Sequence, residues 1–294
     1  MTEVRRIDLL DPAEVARLGG IEIVAQGVVE GFLAGIHRSP FRGFSVEFTE
    51  HRAYQPGDEP RYLDWKILAR ADRLFVKQFE EETNLRAMLL VDASRSMAWR
   101  GAPGRLTKRA YADRLAAALA LILLRQRDAT GLITFDEVVR QVIPARVKTG
   151  QWTRLVRGLL DTPDGRGTAA EAALLRLTGL LARRGLVVLV SDLLFDRALA
   201  LTALRYLRHR GHNVIVFHLM DPAEAELTGP PEVRFRDPES PASVVVRPRE
   251  LARAYGETVR REVAAWRSAC RRHGIGYHHV LTDLPFGMAL RLLA

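Results

Sequence analysis

Met88-Leu89-Leu90-Val91-Asp92-Ala93-Ser94-Arg95-Ser96 is the stretch on which the fold turns. Four consecutive apolar residues run into a carboxylate, and two hydroxyls follow it. A short, unbroken apolar run closed by polar residues reads as a strand covered on both faces. Such strands belong to parallel sheets sandwiched between helices. The chain after it keeps the matching rhythm. A helix is expected over about 107–127, apolar at Leu115, Leu119, Ile122 and Leu123. A strand follows at 131–135, with a short edge hairpin from Val138 to Ile143.

Helices are next expected at about 149–160 and 169–182. Between 185 and 190 lies the most apolar strand of the chain, bounded by Gly185 and Asp192. Further strands are expected at 213–218 and 276–281, with a helix over about 249–273 before the last. The Pro-rich stretch around 229–248 reads as a hairpin insertion. The fold class is therefore α/β, a mostly parallel sheet flanked by helices, over residues 86–294.

The first 85 residues have another pattern. Asp11 to Glu14 forms a capping box that opens a helix, broken at Gly19-Gly20 and resumed by Val24, Val28, Phe32 and Ile36. Short strands at 44–48 and 74–79 flank a turn at 55–58. These are too few for an independent core, so residues 1–85 are expected to pack on the α/β domain. Arg52, Arg61 and Arg70 alternate with Asp58, Asp64 and Asp72 as an ion-pair network, and Trp65 reads as a core anchor.

Composition narrows the function classes. Of 294 residues, 48% are hydrophobic and 27% charged, as in globular rather than disordered chains. The single cysteine, Cys270, forbids an internal disulfide. No apolar run reaches the roughly 18 residues of a membrane span, and the first twenty residues lack a signal-peptide core. A cytoplasmic protein with no membrane partner is the expectation. The net charge of +9 raises nucleic-acid binding as an alternative. Yet the basic residues are scattered, and all but Lys66, Lys77, Lys108 and Lys148 are arginines. That skew resembles codon bias more than a phosphate-binding face, so no nucleic-acid partner is expected.

The chemistry concentrates at strand ends. Asp92, Ser94 and Ser96 follow the first sheet strand, Asp192 follows the most apolar one, and Thr168 sits in the loop Gly165-Arg166-Gly167-Thr168. Ligands of open α/β sheets bind beyond the carboxyl ends of strands, where strand order reverses. Taken singly, Thr168 reads as a helix N-cap and Asp192 as another cap. Together they offer five hard oxygen donors of the kind Mg²⁺ or Mn²⁺ accepts. A haloacid-dehalogenase-type phosphatase using Asp92 is the enzymatic alternative, but the acid/base it needs two residues on is replaced by Ser94. Nucleotide loops and Gly-x-Ser-x-Gly elbows are absent. His278 and His279 are strand neighbours facing opposite ways, which disfavours zinc.

Asp-x-Ser-x-Ser after one strand, Thr in a Gly-containing loop and Asp after a later strand resemble the metal-ion-dependent adhesion site of von Willebrand factor A-like domains. The resemblance implies a sheet of order 3-2-1-4-5-6. It also implies one Mg²⁺ or Mn²⁺ held by Asp92, Ser94, Ser96, Thr168 and Asp192, with an acidic residue of a partner completing the coordination. Gly43, Glu47-Phe48, Arg52, Tyr54, Pro56-Gly57-Asp58, Arg61, Asp64-Trp65, Ala69-Arg70 and residues 77–82 are similar to the bacterial domain-of-unknown-function-58 family. Asp221, Tyr255, Tyr277 and Thr282-Asp283 extend that likeness. It implies a non-catalytic, chaperone-like adaptor of a MoxR-type AAA+ ATPase. Arg166 departs from the pattern where a second loop glycine is common.

Overall fold

The structure, a computed structural model, describes residues 21, 24–29, 47–55, 63–65, 67–68, 74–80, 85–165, 167, 170–227, 230–236 and 243–293. Its centre is a six-stranded sheet. The strands are β3 (Arg86–Asp92), β4 (Ala129–Phe135), β5 (Val139–Arg146), β6 (Leu186–Ser191), β7 (Asn213–Met220) and β10 (Gly276–Leu281). They lie in the order β10-β7-β6-β3-β4-β5. Numbered within the sheet, that is the 3-2-1-4-5-6 order expected from the sequence. Every neighbouring pair is parallel except β4 with β5, the antiparallel edge hairpin.

Alternation along the central strands explains their continuous apolarity. Ala87, Leu89 and Val91 of β3, with Leu186, Val188 and Val190 of β6, enter one core. That core contains Leu115, Leu119 and Ile122 of α1 (Lys108–Arg125), Leu155 and Leu159 of α2 (Gln151–Asp161), and Phe286 near the chain end. Leu90 of β3, with Val187 and Leu189 of β6, points the other way. There they meet Leu174 and Leu177 of α3 (Glu171–Leu180), Leu204 and Leu207 of α4 (Arg197–His209), and Trp266 and Cys270 of the long helix described below. Each face is covered, so each strand position is apolar. A fully buried Leu or Val side chain here contributes about 1.5–3 kcal/mol.

After β7 the chain makes α5 (Pro222–Glu226), then the hairpin β8 (Val233–Arg236) and β9 (Ser243–Val246), within the stretch read as a hairpin insertion. The long helix α6 (Pro248–Arg272) follows and returns the chain to β10, and α7 (Phe286–Arg291) ends it. Asp196 caps α4, and an Asp221–Glu224 capping box opens α5.

Of the first 85 residues, the helical positions Ile21, Val24, Ala25, Val28 and Val29 are buried in the same core as Leu89 and Leu119. Strands β1 (Glu47–Ala53) and β2 (Phe75–Glu80) pair antiparallel as a separate two-stranded sheet. The capping box at Asp11, positions Phe32 and Ile36, residues 44–46, the turn at 56–58, and Arg61, Arg70, Asp58 and Asp72 of the ion-pair network lie outside the described residues.

One expectation is overturned: Trp65 is not a core anchor but is 62% exposed. Asp64 explains this. Its amide donates to Phe75 O at 2.9 Å, and its carboxylate accepts the Ile67 amide at 3.2 Å. The short turn that results tucks Ile67 and Leu68 partly inward and leaves Trp65, its first residue, facing out.

Candidate metal centre

The centre begins with the way β3 and β6 end. The chain leaves β3 toward β4 on one side and leaves β6 toward β7 on the other. A crevice at that switch point is the ordinary ligand site of an open α/β sheet. Asp92 is the last residue of β3, and Ser191, the last of β6, stands beside it.

Asp92 is fully buried and held at both oxygens. Its Oδ1 accepts the Ser94 amide at 2.8 Å, and its Oδ2 accepts the Ser191 hydroxyl at 2.6 Å. Ser94 occupies the N-cap position of a 3-10 turn, Arg95–Ala98, but its side chain makes no capping bond. The hydroxyl instead lies 3.2 Å from Ser96 Oγ. The cap reading of Asp192 fails, because Asp196 caps α4. Asp192 Oδ1 accepts the Leu194 amide at 3.2 Å.

The glycine loop lies against this corner. The Gly165 amide donates to Ala93 O at 2.6 Å, and the Arg95 amide donates to Gly167 O at 3.1 Å. A Cβ on Gly165 would stand 2.7 Å from Ala93 O and 2.8 Å from Asp136 Oδ2, while one on Gly167 would collide with the Glu137 carboxylate. At Gly165 only glycine allows the two backbones to approach this closely. Thr168, the fifth donor of the sequence pattern, lies outside the described residues. The N-cap position of the helix that follows falls on Ala170. The structure thus brings Asp92, Ser94, Ser96 and Asp192 to one corner and lays the Gly165 amide and the Gly167 carbonyl against it.

Sequence reasoning missed three further groups. Ser191, beside Asp192 in the sequence, fixes Asp92. Lys108, wholly buried at the start of α1, places Nζ 2.8 Å from Asp192 Oδ2 and 2.5 Å from Glu224 Oε1 of α5. The Trp99 ring centroid lies 5.9 Å from the same nitrogen. The contact with Asp192 is an ion pair lacking hydrogen-bond alignment, so Oδ2 accepts no directed bond. One signal for Lys108 was available: it is one of only four lysines among 44 basic residues.

The electrostatics follow from burial. Desolvation, then the neighbouring Asp192 charge, push the Asp92 carboxyl up to about 6, against the hydrogen bonds from Ser191 and Ser94. Burial alone would lower Lys108, but Asp192 and Glu224 outweigh it and hold the ammonium charged. Burial also raises Glu224, partly countered by Lys108. With Asp92 ionised, Asp92 and Asp192 face the one ammonium of Lys108, which Glu224 of α5 also holds, so the desolvated corner keeps a net negative charge. That balance suits one divalent cation.

The donor set is carboxylate and hydroxyl oxygen throughout, which fits Mg²⁺ or Mn²⁺ rather than softer metals. Among the described residues no three His, Cys, Asp or Glu side chains converge as a metal-binding group, so this set depends on its serines. Lys108 is the group that opposes the fit.

His218 of β7 borders the corner beside Asp192 and Lys108, while His278 and His279 sit on the neighbouring strand β10. His278 tilts against Phe217 at 5.5 Å, and His279 packs edge-on against His218 at 5.3 Å. His218 shares a 2.6 Å hydrogen bond with the Tyr277 hydroxyl, and burial drives its pKa down to about 3, keeping it neutral. A cavity of about 230 Å³ opens next to the corner, lined by Lys108, Asp192, His218, Glu224, Tyr255 and Trp266 among others. Among the described residues no helix is long and apolar enough to cross a membrane.

The chain is similar to several known proteins. Uncharacterized proteins of Mycobacterium tuberculosis and Mycobacterium bovis are 30% identical over 277 residues, covering 91% of this chain and 83% of theirs. Among solved structures, an aerotolerance-related membrane protein from Bacteroides fragilis is similar over 71% of this chain and 96% of its own, at 18% identity and TM-score 0.48. BatB from Bacteroides thetaiotaomicron matches over the same shares at 14% identity and TM-score 0.47. The VWA domain of SpRpn10 covers 70% of this chain and 94% of its own at 10% identity and TM-score 0.41. The family described as protein of unknown function DUF58 matches residues 50–265, and the chain belongs to that family.

Proposed function

We propose that this protein is a non-catalytic, metal-dependent protein-binding adaptor. In this reading Asp92, Ser94, Ser96 and Asp192, with Thr168 from the sequence pattern, hold one Mg²⁺ or Mn²⁺. The observation that carries it is the gathering of two buried carboxylates and two neighbouring serine hydroxyls at the switch point, in a corner of net negative charge. A bound divalent cation there supplies an electrophilic position that a partner's Asp or Glu can fill.

The residues themselves favour holding over reacting. Both oxygens of Asp92 are engaged by Ser94 and Ser191, which fixes its carboxylate as a ligand rather than freeing it as a nucleophile. The position two residues on, where a phosphatase would need an acid/base, is a serine. His218 is neutral, buried and already hydrogen-bonded to Tyr277. The partner we propose is a MoxR-type AAA+ ATPase, on the strength of the family resemblance.

Co-purification tests the reading. Tagged protein incubated with a MoxR-type ATPase from the same genome should retain it in Mg²⁺, and EDTA or Ser94→Ala should release it. Retention indifferent to both treatments, together with Mg²⁺-dependent turnover of a phosphate ester by the wild type, would overturn it in favour of the hydrolase.

A pH dependence follows from Asp92. Its carboxyl titrates near 6, above the usual carboxylate value, and only the ionised form can bind a cation. Metal affinity should therefore be full at pH 7.5 and fall about tenfold by pH 5, where metal binding releases a proton. Titration calorimetry at the two pH values measures this; unchanged affinity would remove Asp92 from the ligand set.

A further inference from the structure

We propose that the Lys108 ammonium is a built-in competitor of the divalent cation, bridging Asp192 and Glu224 until metal arrives and left on Glu224 alone when it does. The inference rests on the metal reading above. It starts from a lysine in an unfavourable place. Lys108 is the first residue of α1, where the positive end of the helix dipole disfavours a cation. Its side chain is also wholly buried, where an unpaired ammonium would be very costly.

Two carboxylates on different elements make the position tenable. Asp192 follows β6 and belongs to the candidate centre. Glu224 lies in α5, outside it, and its second oxygen accepts the Asp221 amide at 2.9 Å as half of a capping box. Asp221 is itself fully buried and fixed, accepting the Gly101 amide at 3.1 Å and the Ala223 amide at 2.8 Å. Glu224 is therefore held in place whether or not Lys108 stays on Asp192.

The ammonium thus touches both carboxylates at once, hydrogen-bonded to Glu224 and ion-paired with Asp192. Displacement from Asp192 leaves it paired rather than stranded. A compact ammonium on a flexible stem can make that shift, which the rigid fork of an arginine could not follow as readily. That gives a physical reason for a lysine at this position in a chain whose basic residues are almost all arginine.

Two consequences follow. The folded protein is stable without metal, because Lys108 neutralises Asp192 in the interim. Metal affinity is set by competition, and occupancy of the centre moves a charge toward α5 and the wall of the cavity lined by Glu224, Tyr255 and Trp266.

Calorimetric titration of MgCl₂ into wild type, Lys108→Met, Glu224→Gln and the double variant tests the proposal. Lys108→Met should bind Mg²⁺ at least tenfold more tightly than wild type. Glu224→Gln keeps the ammonium but removes its retreat, and should bind severalfold more weakly. In the Lys108→Met background the Glu224→Gln effect should shrink to less than half, because Glu224 acts through Lys108. Equal or weaker binding by a folded Lys108→Met would overturn the competitor role while leaving the metal reading intact. Undiminished coupling-free loss from Glu224→Gln in both backgrounds would do the same. Should Lys108→Met not fold, unchanged affinity in Glu224→Gln alone overturns the proposal. Absence of binding by both wild type and Lys108→Met would instead remove the metal reading itself.

Discussion

In EDTA, Asp192→Ala is expected to lower the unfolding free energy by about 1–2 kcal/mol, less than the roughly 3–5 kcal/mol of a buried charge left wholly unpaired, because Glu224 stays on the ammonium. The substitution leaves the Lys108 ammonium with Glu224 alone, in a position with no access to water. It also deletes the acceptor of the Leu194 amide. Relief of the repulsion that Asp192 exerts on Asp92 offsets part of the loss. Urea unfolding measures the result. The double variant Lys108→Met, Asp192→Ala should lose less than the two single losses together, by more than about 1 kcal/mol, as expected of groups in direct contact. Additive losses would mean that the two side chains do not form the buried pair described.

A second large effect is expected at a position remote in sequence from the metal-site motif. Phe217 is fully buried in β7, with Val190 of β6 and His278 of β10 beside it. Phe217→Ala should cost about 3–5 kcal/mol, the lost transfer energy plus the cavity left behind. At about 2–4 °C per kcal/mol for domains of 150–250 residues, the melting temperature should fall by roughly 10 °C. Phe217 packs into the core on the α1 side, whereas His218 lines the cavity next to Asp192. Mg²⁺ binding at 25 °C should accordingly survive the substitution. A shift below about 3 °C in a circular-dichroism melt would contradict the placement of β7 inside the sheet.

The sheet was legible because its signal is local and repeated. Leu89, Leu90 and Val91, like residues 186–190, are apolar at every position, and that pattern has one ready explanation: helices on both faces. Asp92 and Asp192 could be placed at the sheet's carboxyl edge for the same reason. What the sequence did not carry was pairing across long separations. The contact of Lys108 with Glu224, 116 residues apart, depends on where α5 lies after β7, and nothing near either residue encodes it. The edge-on contact of His218 with His279 likewise appears only once β7 and β10 are neighbours in register. Trp65 misled because a large aromatic is usually buried, and the turn set by Asp64 overrides that tendency.

Titration of MgCl₂ into wild type and Asp92→Ala at pH 7.5 tests the central claim most directly. The account predicts a saturable one-to-one binding heat for wild type and none for Asp92→Ala, with wild type alone gaining thermal stability on metal addition. Equal binding by the two proteins, or none by wild type, would contradict it.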